Sequence, residues 1–99
     1  MDKKTNLTRN LSCILNPQAA NKKWMRRKKL RNYLQKKLQS QIHGTLGEKE
    51  NTIELARKLS LDSEMIVAIG GDGTIADILQ GIFESRREKE VCLGIIPLG

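Results

Sequence analysis

A continuous apolar run that passes through a glycine-rich turn into a helical pattern is the feature that most constrains this chain. Met65-Ile66-Val67-Ala68-Ile69 is apolar at every position and ends in Gly70-Gly71-Asp72-Gly73-Thr74. Ile75, Ile78, Leu79, Ile82 and Phe83 then recur at helical spacing. An unbroken apolar run suits a strand buried on both faces, as in a parallel sheet. Strand, turn and helix together bring a helix N-terminus and bare backbone N–H groups to one point, where α/β proteins take up phosphate. Glycine at positions 70, 71 and 73 predicts backbone turns with positive φ and room for a ligand to approach without meeting a Cβ.

The rest of the chain alternates in the same way. Leu11–Leu15 is a short apolar run that stops at Asn16-Pro17, where proline lacks the N–H a central strand needs. Residues 21–39 predict a helix, with Trp24, Leu30, Tyr33, Leu34 and Leu38 mostly on one stripe. A short strand is expected at 41–43. A helix is expected at 51–59, with Ile53, Ala56 and Leu59 facing inward. The strand at 65–69 and a helix at 74–85 follow. A charged surface loop at 86–90, with Arg86 and Arg87 in solvent, leads to a buried strand at 91–96.

Strands alternating with helices imply an α/β fold: three αβα layers around a parallel, Rossmann-like sheet. Ligands in such sheets bind beyond the C-terminal strand ends. Asn16-Pro17, Gly70–Thr74 and Pro97-Leu98-Gly99 each follow a strand, so all three are expected along one edge. Residues 1–10 read as a polar, flexible arm, and 11–99 as part of a single domain.

Composition narrows the class further. The hydrophobic fraction is 38% and the charged fraction 29%, which suits a globular chain. No apolar run approaches the roughly 20 residues that span a bilayer. The N-terminus has no apolar stretch of a signal peptide, which makes the cytoplasm the expected compartment. Cys13 and Cys92 lie in strand-like runs, fit no metal-ligand spacing and are expected as buried free thiols. His43 is the only histidine, expected as a satisfied surface or loop residue.

Gly-Gly-Asp-Gly-Thr is neither a Walker A loop nor a dinucleotide fingerprint, since Gly-Lys-Ser/Thr and Gly-x-Gly-x-x-Gly are both absent. On its own it admits two readings. It can be a tight connection in which Asp72 and Thr74 cap the following helix. Alternatively, the glycine N–H groups and the Thr74 hydroxyl hold phosphate oxygens, while Asp72 orients a nucleotide hydroxyl or a metal-bound water.

The motif resembles the Gly-Gly-Asp-Gly-Thr shared by diacylglycerol kinases, sphingosine kinases, NAD kinases and, more distantly, phosphofructokinases. Three other segments are similar to the diacylglycerol kinase family in particular. Ile14-Leu15-Asn16-Pro17-Gln18-Ala19-Ala20 resembles its strand followed by Asn-Pro-x-Ala/Ser-Gly. Gly44-Thr45 with Glu54-Leu55-Ala56-Arg57 resembles its threonine and Leu-Ala-Arg helix. Leu93-Gly94-Ile95-Ile96-Pro97-Leu98-Gly99 resembles the start of its Gly-Ile-(Ile/Leu)-Pro-Leu-Gly-Thr-x-Asn-Asp segment, and NAD kinases lack that Pro-Leu-Gly.

The resemblance implies transfer of the γ-phosphoryl group of ATP to a lipid hydroxyl such as that of diacylglycerol, with Mg²⁺. It places around the nucleotide Asn16, Pro17, Gln18, Ala19 and Ala20, then Thr45, then Gly70, Gly71, Asp72, Gly73, Thr74, Ile75 and Ala76. Asp72 is the implied catalytic residue, and Thr52 is the alternative to Thr45. The chain departs from the family at Ala20, where glycine is usual, and at Ile75-Ala76-Asp77, where the family reads x-Asn-Glu. The family also implies a mostly β C-terminal domain with the lipid pocket and a general base. None of it is in these 99 residues, so the chain alone is expected not to turn over. Sphingosine-kinase-like or NAD-kinase-like activity, and a non-catalytic nucleotide-binding remnant, are the alternatives.

The formal net charge of +7 is concentrated in one segment. Residues 22–37 carry nine basic side chains and no acid, leaving nine basic and eleven acidic residues elsewhere. A solvated helix face is the plain reading. Contact with anionic lipid at a membrane surface is the functional one, since each clustered Lys or Arg contributes about 1 kcal/mol there. Nucleic acid is disfavoured, because three aromatic residues make no stacking platform.

Overall fold

A computed structural model describes residues 11–16, 28–38, 42–45 and 48–97. The expected arm at 1–10, Trp24 and the first turns of the expected basic helix lie outside the described residues. The element order is β1 (Leu11–Leu15), α1 (Lys28–Leu38), β2 (Ile42–Gly44), α2 (Lys49–Ser60), β3 (Met65–Gly70), α3 (Asp72–Glu84) and β4 (Cys92–Pro97). The strands form one sheet in the order β2-β1-β3-β4, and every pair is parallel. This is the α/β fold the alternating pattern implies.

Strand alternation sorts the side chains into two layers. Ile14, Ile66 and Ala68 point to one face, where they join Ala56 of α2 and Ile78 and Ile82 of α3. Cys13, Leu15 and Ile69 point to the other, with Leu30 of α1 and Ile42 of β2 against them. Right-handed crossovers account for this division. The step from β1 out to β2 puts α1 on one face, and the return to β3 and on to β4 puts α2 and α3 on the other.

The helices α2 and α3 meet through Gly81. A Cβ at that position would stand 2.6 Å from the Ala56 Cβ and 2.9 Å from the Arg57 nitrogen, so only glycine allows the approach. On the α2 side, Thr52 and Ser60 are buried as well as Ala56, while Ile53 and Leu59 are half-buried. Periodicity in apolar residues alone overlooks these hydroxyls. Each is satisfied inside its own helix: Thr52 Oγ1 donates to the Glu48 carbonyl and Ser60 Oγ to that of Ala56.

Several expectations are corrected. Among the described residues β4 is an edge strand paired only with β3, and Ile95 is 50% exposed rather than buried. The edge also explains how Pro97 can end the strand without an N–H. Leu79 and Phe83 continue the helical pattern of α3 but lie in solvent, on a flank that neither α2 nor the sheet covers. Tyr33 is likewise exposed, with Lys37 Nζ 6.0 Å from its ring centroid. Arg87 is half-buried rather than fully solvated: its Nε donates to the Ser60 carbonyl at 2.8 Å and ties the loop before β4 to the end of α2. Both cysteines are free, but only Cys13 is buried, and Cys92 is exposed. Burial pushes the Cys13 thiol up to about 11, so it stays protonated at neutral pH. His43 sits half-buried on β2.

Gly81→Ala is expected to destabilise the chain by about 1–2 kcal/mol. Overpacking of this kind costs about 1–3 kcal/mol, partly offset by the ~0.5–1 kcal/mol that alanine gains over glycine in a helix. Urea unfolding midpoints of the two proteins measure the difference.

Candidate functional site

Strand register decides what meets at the C-terminal edge. Leu15 lies opposite Gly44 on one side and Ile69 on the other, and Ile69 lies opposite Ile96. The next residue of each strand therefore falls in one row: Thr45, Asn16, Gly70 and Pro97. Backbone bonds stitch this row, with Thr45 N–H donating to Leu15 O at 2.8 Å and Asn16 N–H to Ile69 O at 3.2 Å. Asn16, Thr45 and the glycine motif, distant in sequence, are thus neighbours at one sheet edge. Thr45 is buried at this edge, and the hydroxyl of Thr52, the alternative, is bonded to the Glu48 carbonyl at the start of α2.

The glycine motif is mostly helix. α3 begins at Asp72 rather than Thr74, and Gly71 is its N-cap, with φ −94° and ψ −174° and no side-chain cap. Asp72 and Thr74 therefore do not cap the helix. The expected positive-φ glycines are absent as well. Among the described residues only Arg86 is a non-glycine with positive φ, at 64°, and Gly70, Gly71 and Gly73 need no such geometry. What glycine supplies here is clearance. A Cβ on Gly71 or Gly73 would meet no atom of the described residues within 4 Å, so both present bare backbone there.

The first helical bond runs from Ile75 N–H to Gly71 O at 3.0 Å. The N–H groups of Asp72, Gly73 and Thr74 accordingly have no acceptor within the helix. They point along the helix axis at its positive end, a geometry suited to an anion. Asp72 is exposed in this first turn. Ile75 turns its side chain into the core beneath α3, so neither its N–H nor its side chain faces the opening. Ala76 is exposed one residue further on.

Thr74 behaves differently from its neighbours in the motif. It is buried, and its Oγ1 accepts a hydrogen bond from Asn16 Nδ2 at 3.1 Å. Its side chain also lies over Gly70, where an added Cβ would stand 2.9 Å from Thr74 Cβ. Sequence spacing gave no sign of this contact between residues 58 apart. Pro17, Gln18, Ala19 and Ala20 lie outside the described residues.

Among the described residues no group of three or more His, Cys, Asp or Glu side chains could hold a metal ion. A concave feature lined by described residues lies elsewhere. A hollow of about 440 Å³ lined by Glu64, Met65, Arg87, Glu90 and Cys92 sits at the opposite, N-terminal ends of β3 and β4. Among the described residues, no helix is long and apolar enough to cross a membrane.

Gly70→Ala and Gly71→Ala separate the two uses of glycine in one motif. Gly70→Ala is expected to lower stability by about 1–2 kcal/mol by pushing on Thr74, while Gly71→Ala stays within about 0.5 kcal/mol of the parent. Thermal or urea unfolding of both variants gives the comparison.

The family model of the diacylglycerol kinase catalytic domain matches residues 10–99. A diacylglycerol kinase of Staphylococcus haemolyticus is 38% identical over 61 residues, which are 62% of this chain and 18% of that protein. One from Staphylococcus carnosus is 34% identical over 61 residues, again 62% of this chain and 19% of that protein. A probable YegS-like lipid kinase of Yersinia pestis is 36% identical over 53 residues, 54% of this chain and 17% of that protein. Each match covers less than a fifth of the relative's length.

Proposed function

This chain belongs to the diacylglycerol kinase catalytic-domain family, and on that premise we propose that it is the ATP-binding part of a lipid kinase. The reaction is transfer of the γ-phosphoryl group of ATP to a lipid hydroxyl such as that of diacylglycerol. The acceptor oxygen forms the new bond to phosphorus, the bond to the β-phosphate oxygen breaks, and ADP leaves. The names of the matched relatives, diacylglycerol kinase and probable lipid kinase, support this substrate class.

One observation carries the proposal. A helix N-terminus with three N–H groups unused by the helix opens between two glycines whose missing side chains leave clear space. Phosphoryl transfer needs positioning and charge neutralisation more than covalent help. Backbone N–H groups of Asp72, Gly73 and Thr74 meet the phosphates, and Asn16 and Thr45 flank them from β1 and β2. Mg²⁺ supplies charge neutralisation on the nucleotide's phosphates. It commonly binds through one or two carboxylates plus phosphate oxygens, and Asp72 is the carboxylate this chain offers in that turn.

The substrate would lie in a membrane, and α1 offers a matching surface. Lys28, Lys29, Lys36 and Lys37 are exposed on it, the helix carries no acid, and the exposed Tyr33 ring lies among them. Such a face is drawn to anionic headgroups, and an amphipathic ring suits the interfacial zone.

Calorimetric titration of the chain with MgATP tests the nucleotide assignment. Asp72→Ala and Gly71→Val are each expected to weaken binding about tenfold or more, the loss of roughly one charge-assisted contact or of the open approach. Unchanged affinity in both would remove the assignment. Sedimentation with vesicles tests the membrane face. Binding is expected to phosphatidylserine-containing vesicles and not to pure phosphatidylcholine, and to fall when Lys28, Lys29, Lys36 and Lys37 become Glu. Indifference to anionic lipid would remove that partner.

A further inference from the structure

We propose that Thr74 is a positioning residue of the nucleotide site: its hydroxyl, held by Asn16, latches the end of β1 to the first turn of α3. The proposal rests on the nucleotide-site assignment above and departs from the sequence expectation that this hydroxyl holds phosphate oxygens.

Three observations fix the direction of the Thr74 side chain. It is only 7% exposed, although it lies in the first turn of a helix whose residues 72 and 73 are exposed. Its Cβ, Cγ2 and Oγ1 lie 2.9, 3.0 and 3.1 Å from where a Gly70 Cβ would stand, so it folds back over the end of β3. Its Oγ1 then meets Asn16 Nδ2 at 3.1 Å. At Gly71 and Gly73, by contrast, an added Cβ would meet no atom of the described residues within 4 Å.

Asn16 is held from two directions as a result. Its backbone N–H donates to Ile69 of β3, and its side-chain amide reaches α3 through Thr74. The latch therefore sets the separation between the Asn16 segment and the N–H groups of α3, the two walls of the proposed site. Glycine at 70 follows from the same geometry, because Thr74 occupies the space its Cβ would need. The motif thus divides into a backbone-presenting part, Gly71 to Gly73, and a structural part, Gly70 with Thr74.

A double-mutant cycle on the 99-residue chain tests this, with MgATP affinity by calorimetry and nucleotide-free ¹⁵N spectra of the Asn16 side-chain amide. Thr74→Val is nearly isosteric and is expected to weaken MgATP roughly tenfold, about the worth of one net hydrogen bond. Thr74→Ser keeps the hydroxyl and is expected to restore affinity to within about twofold. In an Asn16→Ala background, Thr74→Val is expected to add less than about twofold, since its effect runs through Asn16. The same tenfold loss in that background would show that Thr74 acts on nucleotide directly, and would overturn the proposal. The Asn16 amide pair is expected to shift with Thr74→Val and hold with Thr74→Ser. An amide pair unmoved by Thr74→Val would also overturn it. A parent chain that binds no MgATP would overturn the nucleotide assignment instead, leaving the amide shift to decide whether the latch exists.

Discussion

The pairing of β1 with β3 is the constraint on which the rest depends. Their parallel register sets Leu15 opposite Ile69 and carries Asn16 to the level of Gly70. A slip of one residue would move every side chain of β1 to the other face. Cys13 and Leu15 would leave the layer under α1, and Ile14 would leave the larger cluster beneath α2 and α3. The same slip would separate Asn16 from Thr74. Core and site are therefore specified by one set of backbone bonds, and burial of Ile14, Ile66 and Ile69 stabilises both together.

Packing on the two faces is unequal. The α2–α3 face holds the larger core, drawn tight by a glycine contact that lets two helix backbones approach. Arg87 strengthens that side by bonding the last carbonyl of α2, which places the chain for its entry into β4. Among the described residues nothing pairs with the outer edge of β4, and Leu79, Phe83 and Ile95 keep much of their apolar surface exposed. The pattern of α3 is thus wider than the face it buries, and periodicity could not have told which residues of that stripe find partners.

The site itself is made largely of backbone. Its distinguishing features are unused N–H groups at a helix start, bare α-carbons at 71 and 73, and a short polar bridge between two chain segments. Side chains in the motif serve mainly to hold this backbone in place, Thr74 against Gly70 and Ile75 in the core. That arrangement suits recognition of an anion whose chemistry varies little, with the helix dipole supplying a fixed field that requires no reorganisation.

Much of this was legible in the sequence. The apolar runs gave β1, β3 and β4 within a residue or two, the short β2 left little mark in its Gln-Ile-His, and the alternation with helical patterns gave the parallel α/β class and one shared edge for Asn16, Gly70 and Pro97. Those features follow from local composition, because burial on both faces of a strand leaves a direct mark on residue type. The start of α3 at Asp72, the exposure of Leu79 and Phe83, the contact at Gly81 and the Asn16–Thr74 bond were decided by tertiary structure alone. Each depends on which residue from a distant segment arrives at a given point. Spacing along the chain fixes which face a side chain takes; only the packed sheet and helices determine what it meets there.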